Sequence, residues 1–183
     1  MKNLIIIGAG PGLSNGLAQK FGKEGFAIGL ISRNAEKLKS QVSDLLQQGF
    51  QVYYSTADAY SKMELDKSIN DLKEKMGIID TLIYNAAALK MKNLMDETAE
   101  EIIEDFKIST VNAFHVVKIL HQDLKTNNGT VLFTGGAFAI KPSPQFGSLS
   151  LGKAALRNLA FQLNETLKND NIYVGTVTID GYI

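Results

Sequence analysis

The chain has no cysteine and no tryptophan, and only 3 prolines and 2 histidines among 183 residues. Without cysteine there is no disulfide framework and no thiolate metal site, a composition that fits a reducing compartment and a cytoplasmic protein. The two histidines, His115 and His121, lie six apart in a stretch of helical period. That is a poor spacing for sharing a metal, so surface or interface roles and no metal are expected. Excess charge is missing as well, with 19 basic residues against 19 acidic ones. This neutrality offers no electrostatic footprint for nucleic acid or for an anionic membrane. The first apolar run, Leu4 to Ile7, is too short for a signal peptide or a membrane span. With 45% hydrophobic residues, the length suits a single well-buried domain over residues 1–183.

What the chain does have is alternation. Short apolar runs read as strands at Leu4–Ile7, Phe26–Ile31, Phe50–Ser55, Ile78–Tyr84, Thr130–Thr134 and Tyr173–Ile179. Most are apolar nearly throughout, as expected of parallel strands covered on both faces. Between them run segments of helical period. Leu13, Leu17 and Phe21 form one stripe, closed by Gly25. Leu38, Val42, Leu45 and Leu46 form another that stops at Gly49, and Leu65, Ile69, Leu72 and Met76 form a third that ends at Gly77. Thr98 with Glu101 makes a capping box for a fourth helix. A fifth runs from Val111 to Leu124, and Leu156, Leu159, Leu163 and Leu167 mark a sixth. The pattern predicts an α/β fold, a doubly wound parallel sheet in a three-layer α/β/α sandwich of Rossmann type.

The first strand runs into Gly8-Ala9-Gly10-Pro11-Gly12-Leu13-Ser14, and a helix follows. A glycine-rich turn at this junction lets backbone N–H groups and the helix N-terminus approach a pyrophosphate. Gly8, Gly12, Leu13 and Ser14 are therefore candidate cofactor-binding residues. The spacing Gly8-x-x-x-Gly12 resembles the loop of the short-chain dehydrogenase/reductase family, Gly-x-x-x-Gly-x-Gly, with Ser14 in place of the third glycine. The resemblance extends along the chain. Asp58, in Ala57-Asp58-Ala59, matches the family's adenine-contacting aspartate after the third strand, with Ala59 beside it. Asn85-Ala86-Ala87 resembles the Asn-Ala-Gly stretch after the fourth strand. Asn112 matches the asparagine of the fifth helix, and Lys153-Ala154-Ala155-Leu156 matches the lysine segment.

The resemblance implies a nicotinamide dinucleotide. At the end of the second strand, NAD binders place an acid for the ribose hydroxyls, whereas NADP binders need a cation for the 2′-phosphate. Ser32-Arg33-Asn34 contains no acid. Arg33 can fork onto a phosphate while Ser32 and Asn34 donate alongside, so NADP is expected over NAD.

In the family, a tyrosine four residues before the lysine is the general acid/base, and a serine thirteen residues before that tyrosine polarises the carbonyl. The lysine holds the nicotinamide ribose and lowers the tyrosine pKa, and the asparagine orders the relay. Here the tyrosine position is Leu149 and the serine position is Gly136, so Asn112 and Lys153 remain as the catalytic candidates. Tyr84, Ser148, Ser150 and Tyr182 are substitute donors to be considered. The divergent enoyl reductases of the family share the Gly8-x5-Ser14 spacing, but their tyrosine, seven residues before the lysine, corresponds to Phe146. The resemblance also implies a Pro-Gly turn, a substrate-covering segment and one more strand. The sequence stops just past that turn, at Asp180-Gly181, so either the chain continues beyond it or the segment and the strand are lacking. Two functions follow. One is an NADP(H)-dependent oxidoreductase acting on a small carbonyl, alcohol or enone, assembled as a homodimer or homotetramer. The other is a non-catalytic NAD(P)-binding redox or metabolite sensor.

Overall fold

The computed structural model describes residues 1–181 and shows one six-stranded sheet, every pairing parallel, in the order β3-β2-β1-β4-β5-β6. The strands are β1 (Asn3–Ile7), β2 (Ala27–Ser32), β3 (Val52–Thr56), β4 (Thr81–Tyr84), β5 (Thr130–Gly136) and β6 (Tyr173–Ile179). The helices between them are α1 (Leu13–Lys23), α2 (Ala35–Gln47), α3 (Lys62–Met76), α4 (Ala99–Phe106), α5 (Asn112–Thr126) and α6 (Gly147–Leu167). This is the expected doubly wound α/β sandwich. Gly25, Gly49 and Gly77 adopt the left-handed φ that ends α1, α2 and α3. Thr98 and Glu101 form the reciprocal capping box of α4.

The two faces of the sheet are buried differently. β1 and β4 are buried throughout, between a cluster that includes α1 and α2 and a larger one formed with α3, α5 and α6. β5 and β6 are buried less completely, because α6 covers one face while Tyr173 and Val177 on β6 stay exposed. The expectation of cover on both faces thus holds over β1 and β4 and fails for these two strands. Helix α1 also differs from its apolar stripe. Its fully buried residues are Ser14 and Ala18, small enough for close approach to the sheet, and Leu17 and Phe21 pack at the margin.

Two boundaries moved for identifiable reasons. β4 starts at Thr81 rather than Ile78, since Asn3 takes residues 76–80 as a turn. Its Nδ2 donates to the carbonyls of Met76 (2.7 Å) and Ile78 (2.8 Å), and its N–H donates to Asp80 Oδ2 (2.7 Å). α5 starts at Asn112 because Lys107–Val111 form a π-helical turn, a widened stretch that frequently marks a functional site. That turn lies on α6. Ser109 packs so tightly on Gly152 that a Cβ there would lie 2.8 Å from the Cβ of Ser109, and Thr110 Oγ1 donates to Gly152 O at 3.2 Å.

Two substitutions of one kind should therefore have opposite signs. Gly152→Ala forces the π turn off α6 and is expected to cost about 1–3 kcal/mol. Gly16→Ala meets open space inside α1 and is expected to stabilise by roughly 0.5–1 kcal/mol. Thermal denaturation reads both, and a Gly152→Ala protein that melts with the parent would show the contact to be slack.

Candidate functional site

The chain winds outward from β1 to β3 on one side and from β4 to β6 on the other, so a crevice opens at the carboxyl ends of β1 and β4. Gly8 leaves β1 with φ +86°, and its N–H and that of Ala9 both donate to Ile31 O at 3.0 Å. A Cβ at Gly8 would sit 2.5 Å from Ala86 N, so the turn and the end of β4 touch backbone to backbone. Asn85 clamps the contact, with N–H to Ile7 O and Nδ2 to Gly8 O, both 2.8 Å. Ser14 is buried and ties the loop to itself. Its hydroxyl donates to Gly10 O (2.9 Å) and accepts from Gly10 N–H (2.7 Å).

Above this crossing lies a cleft of about 410 Å³ that brings together Gly8, Ser32, Arg33, Asp58, Ala59, Asn85, Ala86 and Ala87. A second hollow of about 390 Å³ shares Ala9 and Ser32 with it and is lined also by Gly10, Pro11, Asn34, Lys37 and Gln41. Gly12, Leu13 and Ser14 line neither. They shape the loop and start α1 beneath the two hollows. Asn34 also caps α2 by accepting the Lys37 N–H at 2.9 Å. Arg33 is three-quarters exposed and stands 3.9 Å from Asp58 Oδ2, near enough to interact and free to swing. Asp58 is shaped by its own loop, accepting the Tyr60 N–H at 2.9 Å.

Among the lining residues that escaped the sequence are Lys37, Lys90 and Asp105. Lys37 had a signal, a cation one turn into the helix after Arg33. The other two had none, because they meet only through folding. Lys90 reaches Asp105 (2.9 Å) and Glu97 (3.2 Å), and Lys92 reaches Glu101 (2.8 Å). Ser148, at the start of α6, donates its hydroxyl to Asp105 (2.6 Å) and its N–H to Glu97 (2.8 Å). Burial alone would raise the Glu97 pKa. The hydrogen bonds from Ser148 and the charge of Lys90 outweigh it and hold the carboxyl below its usual range. Burial likewise would lower Lys90, and Asp105 and Glu97 more than reverse that, so the ammonium stays charged. The segment carrying Lys90 and Lys92 is thereby strapped across α4 and α6 beside the cleft.

Leu149 is buried on α6, 4% exposed, and Gly136 ends β5, where an added Cβ would meet the Lys153 side chain at 3.8 Å. Lys153 Nζ donates to Thr134 O at 2.7 Å, and burial alone lowers its pKa to about 8. Asn112 does not reach toward it. Its Nδ2 is taken up by Ala59 O (2.7 Å) and Tyr60 O (2.9 Å), so its side chain holds the Asp58 loop.

Three of the substitute donors are engaged elsewhere. Tyr84 is fully buried, its hydroxyl donates to Ile108 O in the π turn at 2.6 Å, and burial, with the Asp58 charge, drives its pKa well up. Ser148 serves Asp105, Ser150 pairs with Ser143, and Tyr182 lies outside the described residues. His115 and His121 pair separately with Asp66 and Asp170. Among the described residues no helix is long and apolar enough to cross a membrane.

A family model for the short chain dehydrogenases matches residues 2–181. The chain belongs to that family. It is 28% identical over 168 residues to human short-chain dehydrogenase/reductase 3, covering 91% of this chain and 54% of that protein. It is 26% identical over 178 residues to a tropinone reductase homologue of Arabidopsis thaliana, covering 96% and 67%. The chain thus spans between about half and two thirds of the length of these relatives. A solved short-chain dehydrogenase from Rhodopseudomonas palustris superposes with a TM-score of 0.89 at 23% identity, covering 98% of this chain and 85% of that one. An NADPH-bound short chain oxidoreductase from Pseudomonas aeruginosa PAO1, described as having an atypical catalytic centre, gives 0.88 at 19% identity, covering 97% and 70%. At these identities the likeness is one of fold.

Tyr84→Phe removes the donor to Ile108 O inside the π turn. It is expected to cost about 1–3 kcal/mol through the orphaned carbonyl, seen as a lower midpoint in urea. An unchanged midpoint would mean that the turn finds another donor.

Proposed function

We propose that the protein is an NADP(H)-dependent oxidoreductase that reduces a small carbonyl or enone substrate, or oxidises the matching alcohol. The observation that carries the reading is Arg33, at the end of β2 and on the cleft, with no carboxylate at that strand end to take its place. Its guanidinium, the Ser32 hydroxyl and Lys37 across Ser32 suit a 2′-phosphate. The residues present fit the rest of such a cofactor. Gly8 has no Cβ to fill the crossing, Gly10 faces open space, and Asp58 with Ala59 and Ala87 bounds the adenine end. When bound, the nicotinamide supplies a hydride.

Calorimetric titration is expected to show NADPH binding more tightly than NADH, by on the order of 10–100-fold, as a charge-assisted contact to one phosphate implies. Arg33→Ala should narrow the gap. Equal affinities in the parent would sink the preference.

A second reading is favoured by Leu149 and Gly136, which leave the family's acid/base and polarising hydroxyl unfilled. On that reading the protein binds NAD(P) without turnover, as a redox or metabolite sensor. NADPH oxidation against a panel of carbonyls and enones separates the two. Turnover lost on mutating the cleft favours the enzyme.

Assembly is proposed as a homodimer or homotetramer joined through α4 and α5, which expose Ile103 (56%) and Phe114 (42%), with Val111 (46%) at their junction. A single species at monomer mass in light scattering at micromolar concentration would refute it. The expected site of action is the cytoplasm.

A further inference from the structure

The position of Lys153 has a chemical consequence, because the tyrosine position is a buried leucine and the hydroxyls of Tyr84, Ser148 and Ser150 are already engaged. β5 runs beside β4 with Phe133 paired to Tyr84, so Thr134 lies alongside Asn85 at the carboxyl edge of the sheet. Asn85 lines the cleft, and Lys153 Nζ is anchored on Thr134 O. Thr134 Oγ1 itself donates back to Tyr84 O at 3.4 Å. One hydrogen bond to a carbonyl leaves the ammonium two further N–H groups. Gly136 contributes no side chain that would cover the lysine stem, and Leu149, one helical turn away, contributes no donor.

We propose that Lys153 is the general acid of this site, its ammonium giving a proton directly to the substrate carbonyl oxygen. The proposal rests on the carbonyl-reduction reading. The step balances simply. The carbonyl carbon receives the hydride from NADPH, and its oxygen takes a proton from Lys153 Nζ. An alcohol and a neutral amine result, and the amine takes a proton back from water.

The surroundings permit this. β5 and the turn at 137–139 carry no ionisable side chain, and β6 has only Tyr173, at its far end. Asp180 beyond β6 is exposed, Lys107 of the π turn reaches Tyr60, and Asp105 of α4 is held by Lys90 and Ser148. Among the described residues no carboxylate is therefore placed to fix the ammonium, and burial brings its pKa to about 8, where an acid can both hold and release a proton near neutrality. Below that pH the lysine is charged and able to donate. Reduction should decline as pH rises through the value, and alcohol oxidation should rise.

Arginine at this position separates proton donation from ribose binding, since it keeps the charge and the donors but does not deprotonate. Lys153→Arg is expected to bind NADPH within a few-fold of the parent and to lose about 10²–10⁴-fold in kcat. Lys153→Met, checked for folding by circular dichroism, should lose both. A readout independent of turnover is the 13C shift of reductively methylated lysines, assigned with Lys153→Arg. One resonance should titrate near pH 8, well below the others. Parent-like turnover in Lys153→Arg overturns the proposal, as does a Lys153 resonance titrating with the surface lysines. If Tyr182→Phe abolishes turnover and Lys153→Arg does not, the donor is Tyr182. A parent that binds NADPH and reduces nothing overturns the oxidoreductase reading itself, a result distinct from active enzyme with an indifferent Lys153.

Discussion

The contact between Gly8 and the end of β4 is the constraint on which the site depends. With 2.5 Å from a hypothetical Cβ to Ala86 N, no other residue fits at Gly8 without parting β1 from β4. Asn85 closes the same crossing with two hydrogen bonds to residues 7 and 8. Because strand order reverses here, the crossing also defines the floor of the cleft, and every candidate ligand-binding group is placed relative to it. Ser14 adds stiffness from below by closing the loop on Gly10.

A second anchor is the π turn between α4 and α5. It presents Ile108 O to the buried Tyr84 hydroxyl, sets Ser109 against Gly152 and positions Asn112 to hold the Asp58 loop. A regular helix over 107–111 would rotate these groups relative to one another. The same turn therefore couples the Asp58 side of the cleft to the helix that carries Lys153. The charged group around Lys90 does comparable work at the other rim, where Ser148 joins α6 to Asp105 and Glu97. A buried ion pair adds little net stability when desolvation is counted, but breaking one side of it is costly. Its effect here is to fix geometry.

The amino-acid sequence determined the architecture. Apolar runs of strand length, helical stripes and glycines that end helices are local signals, and the strand–helix alternation leaves a doubly wound sheet as the natural solution. It also placed most of the cleft, because Gly8, Arg33, Asp58 and Asn85 follow the ends of consecutive parallel strands, and such ends converge on one edge of the sheet.

What only the tertiary structure decided concerns groups whose partners are distant in the chain. Asn112 binds carbonyls some fifty residues away, so its use in holding a loop left no local trace. Lys90, Glu97, Asp105 and Ser148 come together from three segments, and no periodicity reports that meeting. The engagement of Tyr84 with a π turn and the lone carbonyl partner of Lys153 are of the same kind. Sequence patterns record which residues share a face of one element, since backbone geometry repeats along the chain. Hydrogen bonds and desolvation depend on which elements pack together, and that is settled only when the sheet has formed and the helices have closed over it.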